Sequence, residues 1–341
     1  MRGSVRLVSS LSFVAAAASG SFYAGGRVDA AGSPAASERS RDAATAIGAS
    51  RSALARIGVG TSELLPRHPT GAGVTVYVFD GGIATDHPEL AGRVRAGFDA
   101  FPNGPRVCNT HGTAVAGAIA GRTLGVAPGS EIVDVKIINC AVSRGSVNGI
   151  VAAARWAVDD HQRHPARPAI ANWSFTVDTL GASPGVDGAI ALLRRAGILV
   201  IASAGNYDID ACRVSPANSG AALIVGATSL ATGPSDTRRT AEVRTPGTAW
   251  GKCVDLYAPG DSIPLPVVDN GRATTRAWTG TSMATGFVSG AAALLLEQMP
   301  NTTPEALSRM LRREARNDVV DERVSTRTDR RGRLLQVLVP R

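Results

Sequence analysis

Cysteine is scarce, with four in 341 residues, and no two of the four form a C-x-x-C pair, so the common structural zinc sites are excluded. The chain also lacks a zinc-finger pattern, a helix-turn-helix signature and interleaved aromatic and basic residues. A formal net charge of +8 and a pI near 10.0 therefore point to a solvated basic surface, and no nucleic-acid partner is expected. The apolar stretch at residues 7–18 has 12 residues, short of the roughly 20 a membrane helix needs, so stable membrane insertion is not expected either. What the chain does have is material for a core: 44% hydrophobic against 19% charged residues over a length that suits one large domain.

The first residues read as an address. Two arginines precede the apolar stretch, and Ala16-Ala17-Ala18 offers a small-residue cleavage site, with Val28-Asp29-Ala30 a second. A signal peptide ending near residue 18 or 30 implies a secreted or periplasmic protein. An even cysteine number then reads as disulfides among Cys108, Cys140, Cys212 and Cys253, with three pairings open. Residues 31–52 are Ala/Ser/Gly-rich, without hydrophobic periodicity, and read as a flexible leader; residues 53–341 read as a single domain.

Within that domain, strands and helices alternate. Residues 74–79 form a β-branched, nearly continuous apolar run, as in a strand covered on both faces. Strands are expected at 131–138, 169–175, 198–202 and 222–227, and helices at 147–161, 186–195 and from Thr303 to about Arg312. This rhythm predicts a three-layer α/β fold: a doubly wound, mainly parallel sheet with helices on both faces.

Four polar residues stand where such a sheet places chemistry. Asp80, followed by Gly81-Gly82, ends the first strand; Gly205-Asn206 follows another strand. His111 and Ser282 each open a helix rich in small residues. Each alone has an ordinary reading as a cap or turn residue. A helix N-terminus offers unpaired N–H groups to a developing oxyanion beside Ser282. The same kind of position beside His111 lowers an imidazole pKa through the helix dipole, which would keep a general base neutral.

In chain order Asp80, His111, Asn206 and Ser282, with their flanks, resemble the subtilisin-like serine proteases, most closely the proteinase K branch and its exported bacterial members. The matching segments are residues 76–83, 111–117, 204–206, 256–260 and 280–285. The resemblance implies a subtilisin-like fold and a serine endopeptidase: Ser282 as nucleophile, His111 as base and then acid, Asp80 as its orienting carboxylate, and Asn206 with the Ser282 N–H as oxyanion donors. It implies disulfides Cys108–Cys140 and Cys212–Cys253, a polypeptide substrate, a monomer and no required cofactor. It also allows a structural calcium at Asp255, with carbonyls near Gly220 and Ala222. Substrate would pair as an added strand along Ser143, Arg144 and Gly145 on one side and Ser174, Phe175 and Thr176 on the other, beside Ala204 and Gly205.

Several positions depart from the family pattern. Ser174 is followed by Phe175-Thr176-Val177 where an apolar residue and two glycines are usual. Arg144 replaces a small residue and is either a cation for acidic substrate side chains or a solvated group. Gly286 stands in place of proline just inside the helix, which is expected to loosen the first turn by up to roughly 1 kcal/mol. Gly81 lacks the hydroxyl usual beside the Asp. Only about 43 to 55 residues separate either cleavage site from Val74, without the pattern of a folded prodomain. A weakly active or non-catalytic peptide-binding relative, and a transpeptidase or cyclase, are therefore the alternative functions.

Overall fold

The computed structural model of the chain describes residues 12–14, 53–59, 69–177, 180–230, 242–321 and 331–337. The signal peptide and leader expected over residues 1–52 lie outside them, apart from β1 (Ser12–Val14). The other elements are α1 (residues 53–56), β2 (Thr75–Asp80), β3 (Val94–Asp99), α2 (His111–Ala120), β4 (Glu131–Lys136), β5 (Arg144–Ser146), α3 (Val147–Arg163), β6 (Ala169–Trp173), α4 (Pro184–Arg195) and β7 (Leu199–Ser203). They continue with β8 (Leu223–Leu230), β9 (Glu242–Arg244), β10 (Leu256–Pro259), β11 (Ile263–Asp269), β12 (Arg272–Trp278), α5 (Thr281–Gln298), α6 (Pro304–Glu314), β13 (Arg316–Asp321) and β14 (Arg331–Leu334).

Ten strands form one sheet in the order β10-β14-β13-β9-β8-β7-β6-β2-β4-β3. Most neighbours are parallel; β8–β9 and β13–β14 are antiparallel. All six β2 residues are buried, because both faces are covered. Side chains alternate along the strand, so Val76 and Val78 enter one core with α2 and α5, while Tyr77 and Phe79 enter a second with α3 and α4. Asp80 follows Val78 on the α2 and α5 side. It also stands where the order reverses, because β2 pairs with β4 on one edge and β6 on the other, the switch point at which such sheets open a crevice.

The expected strands and helices are present with ends moved by a few residues. Among the features not anticipated are β3, β9, β13 and the hairpin of β11 and β12. The hairpin turn, Asn270-Gly271, has positive φ at both residues (48° and 74°), the dipeptide that favours such turns. The disulfides are Cys108–Cys140 and Cys212–Cys253, with Cα atoms 4.6 and 5.2 Å apart.

Helix α5 runs through the interior, with residues 281–296 all buried. Gly286 has a different role from the loosening expected of it. A Cβ there would lie 2.8 Å from the Ala118 Cβ and 3.2 Å from the Val115 carbonyl, so the missing side chain is what lets α5 approach α2. Since α2 carries His111 and α5 carries Ser282, this contact also sets the spacing of the site. Gly286→Ala should therefore destabilise the fold by about 1–3 kcal/mol through overpacking, against the usual gain from replacing a helical glycine. Urea unfolding of the two proteins checks this; equal or greater stability of the variant would contradict the packing role.

Candidate active site

Asp80 and His111 meet in the crevice at the end of β2. His111 Nδ1 lies 2.8 Å from Asp80 Oδ2 and 3.0 Å from Oδ1, and both residues are buried, at 2% and 4% exposure. Gly112, the next residue of α2, has no side chain to hold the carboxylate off; a Cβ there would be 3.1 Å from Asp80 Oδ1. The Gly81 backbone N–H donates to Asp80 Oδ1 at 2.7 Å, so this carboxylate finds a donor without a hydroxyl beside it. On the other edge of the ring His111 Nε2 is buried and has no hydrogen-bond partner among the described residues.

The His111 pKa moves opposite to the dipole-based expectation. Burial pulls it down, but the charge of Asp80 and its hydrogen bond push it up and prevail, leaving it above the ordinary 6.5. A carboxylate in direct contact within a water-excluded site outweighs the partial charge of a helix end.

Ser282 lies in the first turn of α5, where its backbone N–H has no intrahelical carbonyl to reach. Its Oγ donates to the Ser174 carbonyl at 3.2 Å, and the Ser174 hydroxyl donates back to the Ser282 carbonyl at 3.1 Å. Behind them, Ser289 on α5 donates to Asn172 Oδ1 at 3.0 Å and Asn172 Nδ2 to Ser174 Oγ at 2.9 Å. This buried polar chain pins α5 to β6. The signal for it was present, since Asn172 and Ser289 interrupt otherwise apolar or small-residue runs.

Asn206 is held from one side. Its Oδ1 accepts from the Thr281 N–H and the Thr281 hydroxyl, both at 3.0 Å. Gly280, at φ 150°, passes beside this amide, and a Cβ there would come within 3.3 Å of Nδ2. Trp278, at the end of β12, stands edge-on to the His111 ring with centroids 5.8 Å apart. It was not among the anticipated residues, because its hairpin was not.

Of the residues expected to bind substrate, Arg144 and Gly145 lie on β5, with Ser143 at φ 50° just before it. Arg144 is exposed. The β5 edge takes β1 as an antiparallel partner, Phe13 opposite Gly145. Ser174, Phe175 and Thr176 leave β6, and Ala204 and Gly205 leave the adjacent β7. Asp255 does not stand as a free ligand. Its Oδ2 accepts from the Ile224 N–H and its Oδ1 from Arg312 Nη1, both at 2.8 Å, while Arg194 Nη1 donates to the Ala221 carbonyl at 3.0 Å. Calcium takes six to eight oxygens. Here two guanidiniums occupy the carboxylate and a carbonyl, so these residues do not fit the ion, and no group of three or more metal-ligating side chains gathers among the described residues.

The comparisons with known proteins bear on the family. The family model described as Subtilase family matches residues 71–331. An extracellular serine proteinase of Thermus sp. (strain Rt41A) is 40% identical over 253 residues, covering 74% of this chain and 57% of that protein. Alkaline serine exoprotease A of Vibrio alginolyticus is 34% identical over 75% of this chain and 44% of its own length. The chain thus spans about half the length of these relatives. A crystal structure of a cold adapted subtilisin-like serine proteinase matches with a TM-score of 0.69 and 33% identity, over 84% of this chain and 98% of that one. Fervidolysin from Fervidobacterium pennivorans, a keratinolytic enzyme related to subtilisin, matches with a TM-score of 0.68 and 25% identity over 84% and 44%. With the matched region taking in β2, α2 and most of the sheet, the chain belongs to the subtilase family of serine peptidases.

Proposed function

We propose that this protein is an exported serine endopeptidase that hydrolyses polypeptides through Asp80, His111 and Ser282, with Asn206 as oxyanion donor. The observation that carries it is the buried His111 ring, bound through Nδ1 to Asp80 and left without a partner at Nε2 among the described residues. A structural histidine would spend both nitrogens; one that must exchange a proton keeps the second free. Export is supported by the two disulfides and by the extracellular Thermus relative. No helix among the described residues is long and apolar enough to cross a membrane. The protein acts without calcium at Asp255.

In the reaction, Ser282 Oγ leaves the Ser174 carbonyl by rotation about its Cα–Cβ bond and attacks the scissile carbonyl carbon while His111 Nε2 takes its proton. The oxyanion is held by Asn206 Nδ2 and the Ser282 N–H. His111 then delivers the proton to the departing amine, and the acyl-enzyme is released by a water that His111 deprotonates in turn. Asp80 remains ionised and compensates the transient imidazolium. Substrate backbone adds to the β5 edge, the edge that accepts β1.

Incubation with an active-site phosphonate and unstructured casein tests the assignment. The parent should be labelled and should cleave; Ser282→Ala should do neither. Labelling that persists in the variant would move the nucleophile elsewhere, and inactivity of the parent would favour the non-catalytic relative. Asn206→Ala should lower kcat by about 10²–10³-fold.

The raised His111 pKa gives a pH dependence of defined sign. Catalysis needs neutral imidazole, so kcat/KM should be lost in acid and rise with pH through a value above 6.5. In Asp80→Asn burial alone remains, so the transition should move below 6.5 as the rate falls about 10⁴-fold. A transition unmoved by the substitution would mean that Asp80 does not set the base.

Because guanidiniums take the place of an ion at Asp255, excess chelator should leave the melting temperature unchanged, whereas Arg312→Leu should lower it. A chelator-induced drop in the parent, reversed by added calcium, would contradict this.

A further inference from the structure

We infer that Thr176 and Tyr207 close the recess beside Ser282 and restrict this enzyme to small side chains on the residue whose carbonyl is attacked. The inference rests on the serine peptidase reading above.

Stereochemistry fixes where that side chain must go. In the tetrahedral intermediate three of the four substituents of the carbon have their places: Ser282 Oγ, the oxyanion at Asn206, and the leaving nitrogen at His111 Nε2. The fourth, the Cα of the acyl residue, is left to face the remaining wall, the segment that begins at Ser174, whose carbonyl is 3.2 Å from Ser282 Oγ. This segment leaves β6, and the segment carrying Asn206 leaves β7. The two strands are paired, Trp173 opposite Ala202, so the segments emerge side by side and the acyl side chain must enter between them.

That gap is already occupied. Phe175 and Val177 are buried in the core shared with α3 and α4, and Phe175 stacks on Trp173 with centroids 5.3 Å apart. By alternation Thr176 faces the same way as Ser174. Its side chain is 3% exposed and spans the gap in two ways. The Thr176 methyl lies over Gly205, where a Cβ would be only 3.2 Å from it, and the Thr176 hydroxyl shares a hydrogen bond of 3.2 Å with the Tyr207 hydroxyl. Gly205, at φ 102°, leaves its own wall bare, but the methyl takes up the space a bare wall would open. Tyr207 is 44% exposed, so the bridge sits at the mouth of the recess, with the methyl beneath it. A glycine, alanine or serine side chain fits beside this arrangement. An aromatic or long aliphatic one must break the bridge and displace a buried threonine.

A peptide series differing only in the residue before the scissile bond tests this, with labelling by a small alkyl fluorophosphonate as a count of competent sites. The parent should favour Ala over Phe in kcat/KM by about 10²-fold. Thr176→Gly should shift that ratio, read per labelled site, towards Phe by about 10-fold or more. Thr176→Ser keeps the bridge and loses the methyl, and Tyr207→Phe does the reverse. Each should give an intermediate shift, and both keep the inference testable if Thr176→Gly does not fold. Equal cleavage of Ala and Phe by the parent, or an unchanged ratio in variants that still label, would overturn the inference and leave the peptidase assignment standing. A parent that neither labels nor cleaves would overturn both.

Discussion

The buried pair of Asp80 and His111 is the constraint on which the arrangement depends. A carboxylate withdrawn from water is costly unless a cation or donors meet it, and removing its partner costs far more than the pair contributes. The fold supplies those donors from two sources: the Gly81 N–H just after β2 and the imidazole on α2. For the second to reach, α2 must run close against the sheet, which is why its first turn is glycine and small residues. The consequence is electrostatic as well as geometric. The carboxylate lifts the His111 pKa against the pull of burial, so a ring that would be a poor proton acceptor in an apolar site becomes an adequate one.

Chemistry and packing are therefore not separable here. Ser282 reaches the crevice on α5, which is buried over its first sixteen residues and has no polar face to turn to water. Its position comes from three contacts of different kinds: the close approach at Gly286 to α2, the polar chain through Ser289, Asn172 and Ser174 to β6, and the Asn206 carboxamide oxygen gripping Thr281. The last of these also orients the amide that would meet the oxyanion. One side chain caps α5 and, on the proposed reading, offers its other end to the oxyanion.

The alternation of elements and the ends of β2 and β7 were legible in the sequence because they follow from local pattern: a continuous apolar run for a doubly covered strand, and glycine where it stops. Asp80, His111, Asn206 and Ser282 could be named from their contexts and from the family they resemble, which also gave the disulfide pairing. What escaped was set by distant contacts. The dipole argument for His111 had the wrong sign because no local feature reveals that Asp80 is 2.8 Å away. Gly286 read as a weak helix residue because the α2 backbone it accommodates is more than 160 residues upstream. Asp255 read as a metal ligand because its competitor, Arg312, belongs to a helix 57 residues further on.

The departures from the family pattern fall on two sides of the nucleophile, and they do not act alike. Gly286 replaces one means of support with another, close helix packing in place of a proline-stiffened turn. It carries its own compensation. Thr176 is different, since its methyl and hydroxyl enter the space where substrate must lie and nothing nearby retreats to restore it. Its hydroxyl finds Tyr207, a half-exposed residue of the opposite wall, rather than a buried backbone group in need of a donor. The bridge thus ties together two walls that the sheet already spaces, and its effect is on what can pass between them.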